Sequence, residues 1–459
     1  MISYLKEIVE HISADYAELR YHERRVNAVS VRKGEPEAAQ SNRISGVGVR
    51  LLDSGRWGFS STARKERADI LRAAKDAATA AKAMSRTKKT LAKAKLAKGE
   101  FRPPVEDPVE NHSLEEKLKL VKKAEAKARR SKKVVSASSA YIEYLDKKAI
   151  VTSDGAAALL TDVKPEFRIT VVAKEGTNMV TASEFAGVTG GWKDLWRYGA
   201  AEEIVEKAVK RAQRLLSAEF PKGERMKVIL SPEMVGLIAH EAIGHTVEAD
   251  FVLSGAITKG KIGQRVASEL VTLADSGPSV HIPGASGTLL VDDEGVMTER
   301  TVVIENGILR SYLHNRESAA SFGVSPTGNA RAYEYSDEPI IRMRNTYIEP
   351  GEMSLSELLA STDRALLLEG AGGGQADANA EFMFGVQEAT LIEKGKRKKT
   401  FRGVTISGNA FDVLASVDAI TKEFRWALGA GYCGKFQRAK VDAGGAYVRC
   451  EAIIGGRHG

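Results

Sequence analysis

The chain has 459 residues, 43% hydrophobic and 28% charged, a balance that supports large packed cores and excludes a wholly disordered or fibrous protein. No run approaches the ~18 consecutive apolar residues of a membrane helix. Net charge is +8, and its placement matters: Arg64 to Lys133 holds 22 basic and 10 acidic residues, so the remainder of the chain is net acidic. That basic segment has almost no aromatic residues to stack on bases, which reads as solvated helix surface and weighs against nucleic acid as a partner.

Residues 2–12 pattern as a short amphipathic helix. Alternation from Tyr16 to Val31, Gly46 to Leu52 and Trp57 to Phe59, with turns at Gly34 and Asp53-Ser54-Gly55, predicts an antiparallel meander. A helix over about 64–86 would present Ile70, Ala73, Ala77, Ala81 and Met84 on one face. Pro103, Pro104 and Pro108 mark 99–112 as a surface connection. Ser113 and Glu116 form a capping box that opens a helix to about Arg130. Strands follow over 133–186 and a helix over 201–217. Pro221-Lys222-Gly223 places the boundary between two domains, 1–222 and 223–459. The second opens with a strand at 226–230, then Ser231-Pro232-Glu233, three helix-start signals in succession. Beyond 265 the chain is β-rich apart from a helix near 355–361. The expected class is α+β: an amino-terminal antiparallel sheet with flanking helices, then a β-rich, barrel-like domain that carries the functional helix.

That helix runs into His240-Glu241-Ala242-Ile243-Gly244-His245. The chain has eight histidines, and two of them fall within six residues around a glutamate. An HExxH pair shares one helical face; here the spacing is five, which leaves the rings about 140° apart on a regular α-helix. Both can face one ion only if the helix widens into a π-bulge or ends between them. Gly244 is where backbone freedom would be needed. A third ligand is required for a metal. His281 and His314 lie in polar stretches; Glu248 and Asp250 could supply oxygen. Cys433, in Gly431-Tyr432-Cys433-Gly434-Lys435, offers a thiolate that suits zinc, with Lys435 placed to favour ionisation. Cys450 lies in an apparent strand and reads as a small buried hydrophobe.

His240 through Asp250 resembles the signature of the TldD metalloproteases, the catalytic half of the TldD/PmbA (TldE) family. Matches to the family's pattern run through nearly the whole chain: Ala14 to Arg20, Gly46 to Arg50, Asp293-Glu294-Gly295, Ile304 to Gly307, Thr327-Gly328-Asn329, Arg342 to Thr346, Gly374 to Asp377, and Cys433-Gly434-Lys435. The resemblance implies a zinc-dependent peptidase that cleaves short or unfolded peptides. It assigns His240, His245 and Cys433 to zinc and Glu241 to the catalytic base. It also implies a PmbA/TldE-like partner subunit or a homo-oligomer. One departure stands out: the family places a residue and then Gly-Gln after Cys-Gly-Lys, whereas Phe436-Gln437 follows here. Ala371 to Gly374 could offer backbone N–H groups to substrate, and Gly374 and Asp377 are candidate substrate contacts. The reading from a different class is a non-catalytic regulator or scaffold. It would contact nucleic acid or an acidic partner through the basic segment and use HExxxH as a structural metal site. Glu241 discriminates, because a purely structural site has no use for an unligated carboxylate there. The opening residues, Met1 to Glu7, carry no secretory signal pattern. Two cysteines exclude a disulfide framework and fit the reducing cytoplasm.

Overall fold

The computed structural model describes residues 1–84 and 88–456. Its first half is a seven-stranded sheet. The strands run in the order Arg56–Thr62, Glu35–Asp53, Tyr16–Arg32, Val134–Thr152, Ala157–Glu175, and both Lys98–Phe101 and Asn178–Gly187 pair with the last of these. The meander is antiparallel as expected, and so is the pairing of Tyr16–Arg32 with Val134–Thr152. The Ser113–Glu116 capping box is formed and starts the helix Leu114–Arg129.

The period-2 alternation of these strands separates two faces with different partners. Odd-numbered Ala17, Leu19, Tyr21, Val47, Val49 and Leu51 pack with Ile70, Ala73, Ala77 and Ala81 of the helix Arg67–Ala83. Farther along the sheet, Val29, Val31, Tyr141, Phe167 and Ile169 pack with the helices Leu114–Arg129 and Ala201–Leu216. Each fully buried Leu, Ile or Val here stabilises the fold by about 1.5–3 kcal/mol. Met84 departs from its expected place: the helix stops at Ala83, Met84 turns extended, and its side chain is exposed. The expected continuation to residue 86 lies outside the described residues.

Even-numbered Glu18, Arg20, His22 and Arg24 are buried as well, but against the second half of the chain. Arg20 donates to the Asp337 carbonyl, Arg50 to Glu294 at 2.9 Å, and Lys148 to Asp293 at 2.8 Å. The two halves therefore meet through a charged seam.

The second half contains a closed barrel. Glu224–Leu230 pairs with Val448–Gly456, which pairs with Val404–Asn409, then Glu381–Glu393, then Arg364–Ala376; that strand pairs in parallel with Glu224–Leu230 and closes the ring. Its apolar side chains, among them Val228, Leu230, Leu368, Phe384, Ile406 and Cys450, share one core with Met234, Val235, Ile238, Ala242 and Ile243 of the helix that leaves the first barrel strand. A smaller sheet, in which Asn345–Ile348 pairs with Leu273–Ser276 and with Asp442–Gly445, flanks that helix. The hairpin Tyr432–Lys435/Gln437–Lys440 precedes the strand Asp442–Gly445 in the chain.

Candidate metal centre

The Ser231 hydroxyl accepts from the Met234 N–H, and Pro232 occupies the first helical position. The α-helix spans Pro232–Leu237. It then widens to a π-helix over Ile238–Gly244 and tightens to a 3₁₀ turn at His245–Val247. This meets the geometric demand of the five-residue spacing. Hydrogen bonds from i to i+5 bring residues five apart onto one face. The His240 and His245 ring centroids are 5.4 Å apart with planes at 79°. Gly244 does not supply unusual backbone freedom: its φ of −55° and ψ of −44° are ordinary right-handed values. Its Cβ position is filled by the Met343 sulfur, so a close approach requires the glycine.

One ligand atom each from His240, His245 and Cys433 lie within 4.8 Å of one another. His240 is 1% exposed, and neither of its ring nitrogens has a hydrogen-bond partner among the described residues. The His245 Nε2 is 3.3 Å from the Cys433 Sγ. Its Nδ1 is 2.7 Å from Glu248 Oε2, a carboxylate with no solvent exposure. Burial opposes ionisation of the Cys433 thiol, but the His240 and then the His245 imidazole, when protonated, outweigh it and pull the thiol down to about 5. A cation held by the same imidazoles acts in the same direction. Glu241 Oε2 lies 3.6 Å from His245 Nε2, and its side chain remains 35% exposed. Burial raises the Glu241 carboxyl, yet the hydrogen bond with His245 and the charge of His240 bring it to about 2, so it is ionised at neutral pH. Two imidazoles and a thiol with an unpartnered lone pair on the most buried ring form a donor set that fits a transition-metal ion.

The remaining candidates lie elsewhere or act differently. His281 hydrogen-bonds Glu349, and His314 contacts Ser318. Glu248 and Asp250 face the Lys435 ammonium at 3.2 and 2.7 Å. Lys435 thus serves these carboxylates, and the pull on the thiol comes from the imidazoles. Cys450 is buried in a barrel strand, and burial pushes its thiol upward. Gly374 sits in the barrel strand Arg364–Ala376 against the Met383 backbone. Asp377 caps a turn, accepting from the N–H groups of Asn379 and Glu381 at 2.9 and 3.0 Å. Phe436, at the departure from the family pattern, forms the hairpin tip with φ +59° and is fully exposed.

Sequence reasoning did not anticipate Arg342. Its guanidinium is fully buried. It donates to the Cys433 carbonyl at 2.7 Å and the Gln437 carbonyl at 2.6 Å, tying down both strands of the hairpin. The signals in the chain were a pair of arginines, Arg342 and Arg344, beside apolar residues, and their place in a stretch that resembles the family pattern. A cavity of about 270 Å³ lies at the other end of this helix beside Glu233 and Arg211 and includes none of the four centre residues.

Comparison with known proteins defines the class. Residues 223–454 match the C-terminal domain of PmbA/TldA metallopeptidases, residues 17–81 match their domain 1, and residues 107–216 their central domain. The chain belongs to the PmbA/TldD metallopeptidase family. A metalloprotease of Methanocaldococcus jannaschii is 36% identical over 96% of this chain and 97% of its own. A zinc metalloprotease TldD homolog of Saccharolobus solfataricus is 30% identical over 99% of this chain and 100% of its own. Among solved structures, TldE from Thermococcus kodakarensis aligns with a TM-score of 0.81 at 21% identity, covering 99% of this chain and 100% of that one. A Thermotoga maritima protein described as a candidate modulator of a DNA gyrase gives 0.81 at 21%, covering 99% of both chains. At that identity these two structures show the fold alone. Among the described residues, no helix is long and apolar enough to cross a membrane.

Proposed function

We propose that the chain is a zinc-dependent peptidase that hydrolyses short or unfolded peptides, with His240, His245 and Cys433 as ligands and Glu241 as general base. The observation that carries this reading is the His240 ring, fully buried with both nitrogens unpartnered. A buried polar group left so costs about 1–3 kcal/mol, and a bound cation removes that cost. Mixed nitrogen and sulfur donors favour zinc over magnesium or calcium. When bound, zinc supplies a Lewis acid that polarises a carbonyl and makes water nucleophilic near neutral pH. Glu248 fixes the His245 proton on Nδ1 and leaves the Nε2 lone pair for the metal. Glu241, ionised and open to solvent, accepts the proton of the attacking water and passes it to the leaving amine. Arg342 holds the Cys433 backbone so that the thiol stays beside both imidazoles.

In this reading 223–459 is the peptidase domain, 1–222 its companion domain, and the protein acts in the cytoplasm with a PmbA/TldE-like subunit or a second copy of itself. The regulator reading draws on the basic segment Arg64–Lys133, and the ion pairs of that segment weigh against it. Lys117 is buried on Glu143, Lys123 and Lys127 pair with Glu202 and Glu206, Arg129 with Glu125, and Lys133 with Glu175. The excess is spread over several elements, and part of it is matched by these carboxylates. The test is hydrolysis of casein by the zinc-loaded chain, alone and with a PmbA/TldE-like partner. No turnover in either setting overturns the peptidase reading.

A further inference from the structure

We propose a phosphate-binding site in the charged seam between the two halves, behind the hairpin that carries Cys433. It does not rest on the peptidase reading. A cavity of about 60 Å³ lies between the amino-terminal sheet and the second half, and six basic side chains line it: Arg24, Lys148, Lys164, Arg331, Arg438 and Lys440. At roughly 10–15 Å³ per water-sized probe, it has room for a group of four or five heavy atoms.

The lining carboxylates do not balance that charge. Asp146 takes Arg24 at 2.7 and 2.8 Å. Asp293 takes Lys148 at 2.8 and 3.0 Å, and Asp162 takes Lys164 at 2.8 Å. Lys440 reaches past the lining to Glu166 at 2.6 Å. Arg331 and Arg438 are left over, with no carboxylate partner among the described residues. Arg331 is 9% exposed and donates only to backbone, to the Met343 and Lys440 carbonyls at 2.5 and 2.6 Å. Arg24 keeps its buried Nη1 without an acceptor. Burial, reinforced by Arg342, pushes the Arg331 guanidinium down to about 10, and burial likewise lowers Lys148, Lys164 and Lys440. A buried cation without a counter-charge is costly, and an anion in the cavity relieves it.

The donor and acceptor inventory selects the anion. Arginine forks match tetrahedral oxyanions. Asp162 keeps Oδ1 buried and without a donor. An oxyanion that retains a proton satisfies it, which hydrogen phosphate does and sulfate does not. The site is also separate from the metal centre. Arg438 pairs with Gly434 and Lys440 with Tyr432, whereas Cys433 pairs with Ala439. Alternation therefore places Arg438 and Lys440 on the hairpin face opposite Cys433.

The experiment titrates the zinc-loaded protein with sodium phosphate by calorimetry at constant ionic strength, with sodium sulfate and phosphoserine as parallel ligands. Saturable phosphate binding in the millimolar range or tighter is expected, at least tenfold stronger than sulfate. Phosphoserine binding as tightly as phosphate would assign the site to a phosphate ester, and weaker binding to inorganic phosphate; both support the proposal. Arg438→Ala, at an exposed position, and Arg331→Met should each weaken phosphate binding at least tenfold. If Arg331→Met does not fold, Arg438→Ala decides. Absence of saturable binding overturns the proposal. So does binding that both variants leave unchanged, because phosphate held at the metal centre would ignore substitutions on the far face of the hairpin.

Discussion

The His245 Nδ1 and the Glu248 Oε2 lie 2.7 Å apart, with the carboxylate wholly shielded from solvent. Glu248 caps the 3₁₀ turn His245–Val247 that follows the π-helix, three positions after His245, so the same backbone irregularity that aims His245 at Cys433 also delivers its orienting acid. Lys435 completes the arrangement from the Cys433 hairpin, 3.2 Å from Glu248.

Glu248→Gln should keep the fold and weaken metal binding 10–100-fold, the usual cost of losing a carboxylate behind a ligating imidazole. Competition with a chelator of known affinity measures this. Affinity equal to the parent would mean that Glu248 does not orient the ligand.

Glu241→Gln should retain zinc and melt at the parent temperature while peptide turnover falls by ~10²–10⁴-fold. The amide keeps the shape of the side chain but cannot take a proton at neutral pH. Zinc content, melting temperature and turnover are measured on the same preparation. Near-parent turnover in a folded, zinc-loaded variant would end Glu241's role as base.

Cys433→Ser should lose most of its zinc, because a hydroxyl is a far poorer ligand than a thiolate. Cys450→Ser should keep it and lose only stability, since that thiol is buried in the barrel core. Elemental analysis of both proteins separates the two cysteines. Equal zinc in both would remove Cys433 from the centre.

Gly244→Ala should destabilise the protein by about 1–3 kcal/mol, the range for forcing a methyl group into a packed site, and lower zinc occupancy, because the new Cβ meets the Met343 sulfur. Met343→Ala in the same chain should recover much of the loss. Denaturant midpoints of the two single variants and the double variant give the coupling. Strict additivity would show that the glycine is needed for another reason.

Read alone, the chain exposed its local logic well. Ser231-Pro232-Glu233 announced the helix start, Ser113 and Glu116 their capping box, and the alternation from Tyr16 onward the meander, because capping and pleating depend on neighbours a few residues away. The five-residue spacing of His240 and His245 even required the helix to widen or to end between them, since two rings about 140° apart cannot share an ion on a regular α-helix, and the structure shows the widening. What escaped the sequence depends on residues distant in the chain. Parallel pairing of Leu366–Leu368 with Val228–Leu230 closes the barrel across about 140 positions. Met343 occupying the place of a Gly244 side chain, Arg342 gripping the Cys433 carbonyl, and Glu248 turned to His245 and away from the metal position are all choices of packing. A short-range pattern names the groups that can do chemistry; only the folded backbone decides which of them come within hydrogen-bond reach, because that distance is set by elements far apart in the chain, 188 positions for His245 and Cys433.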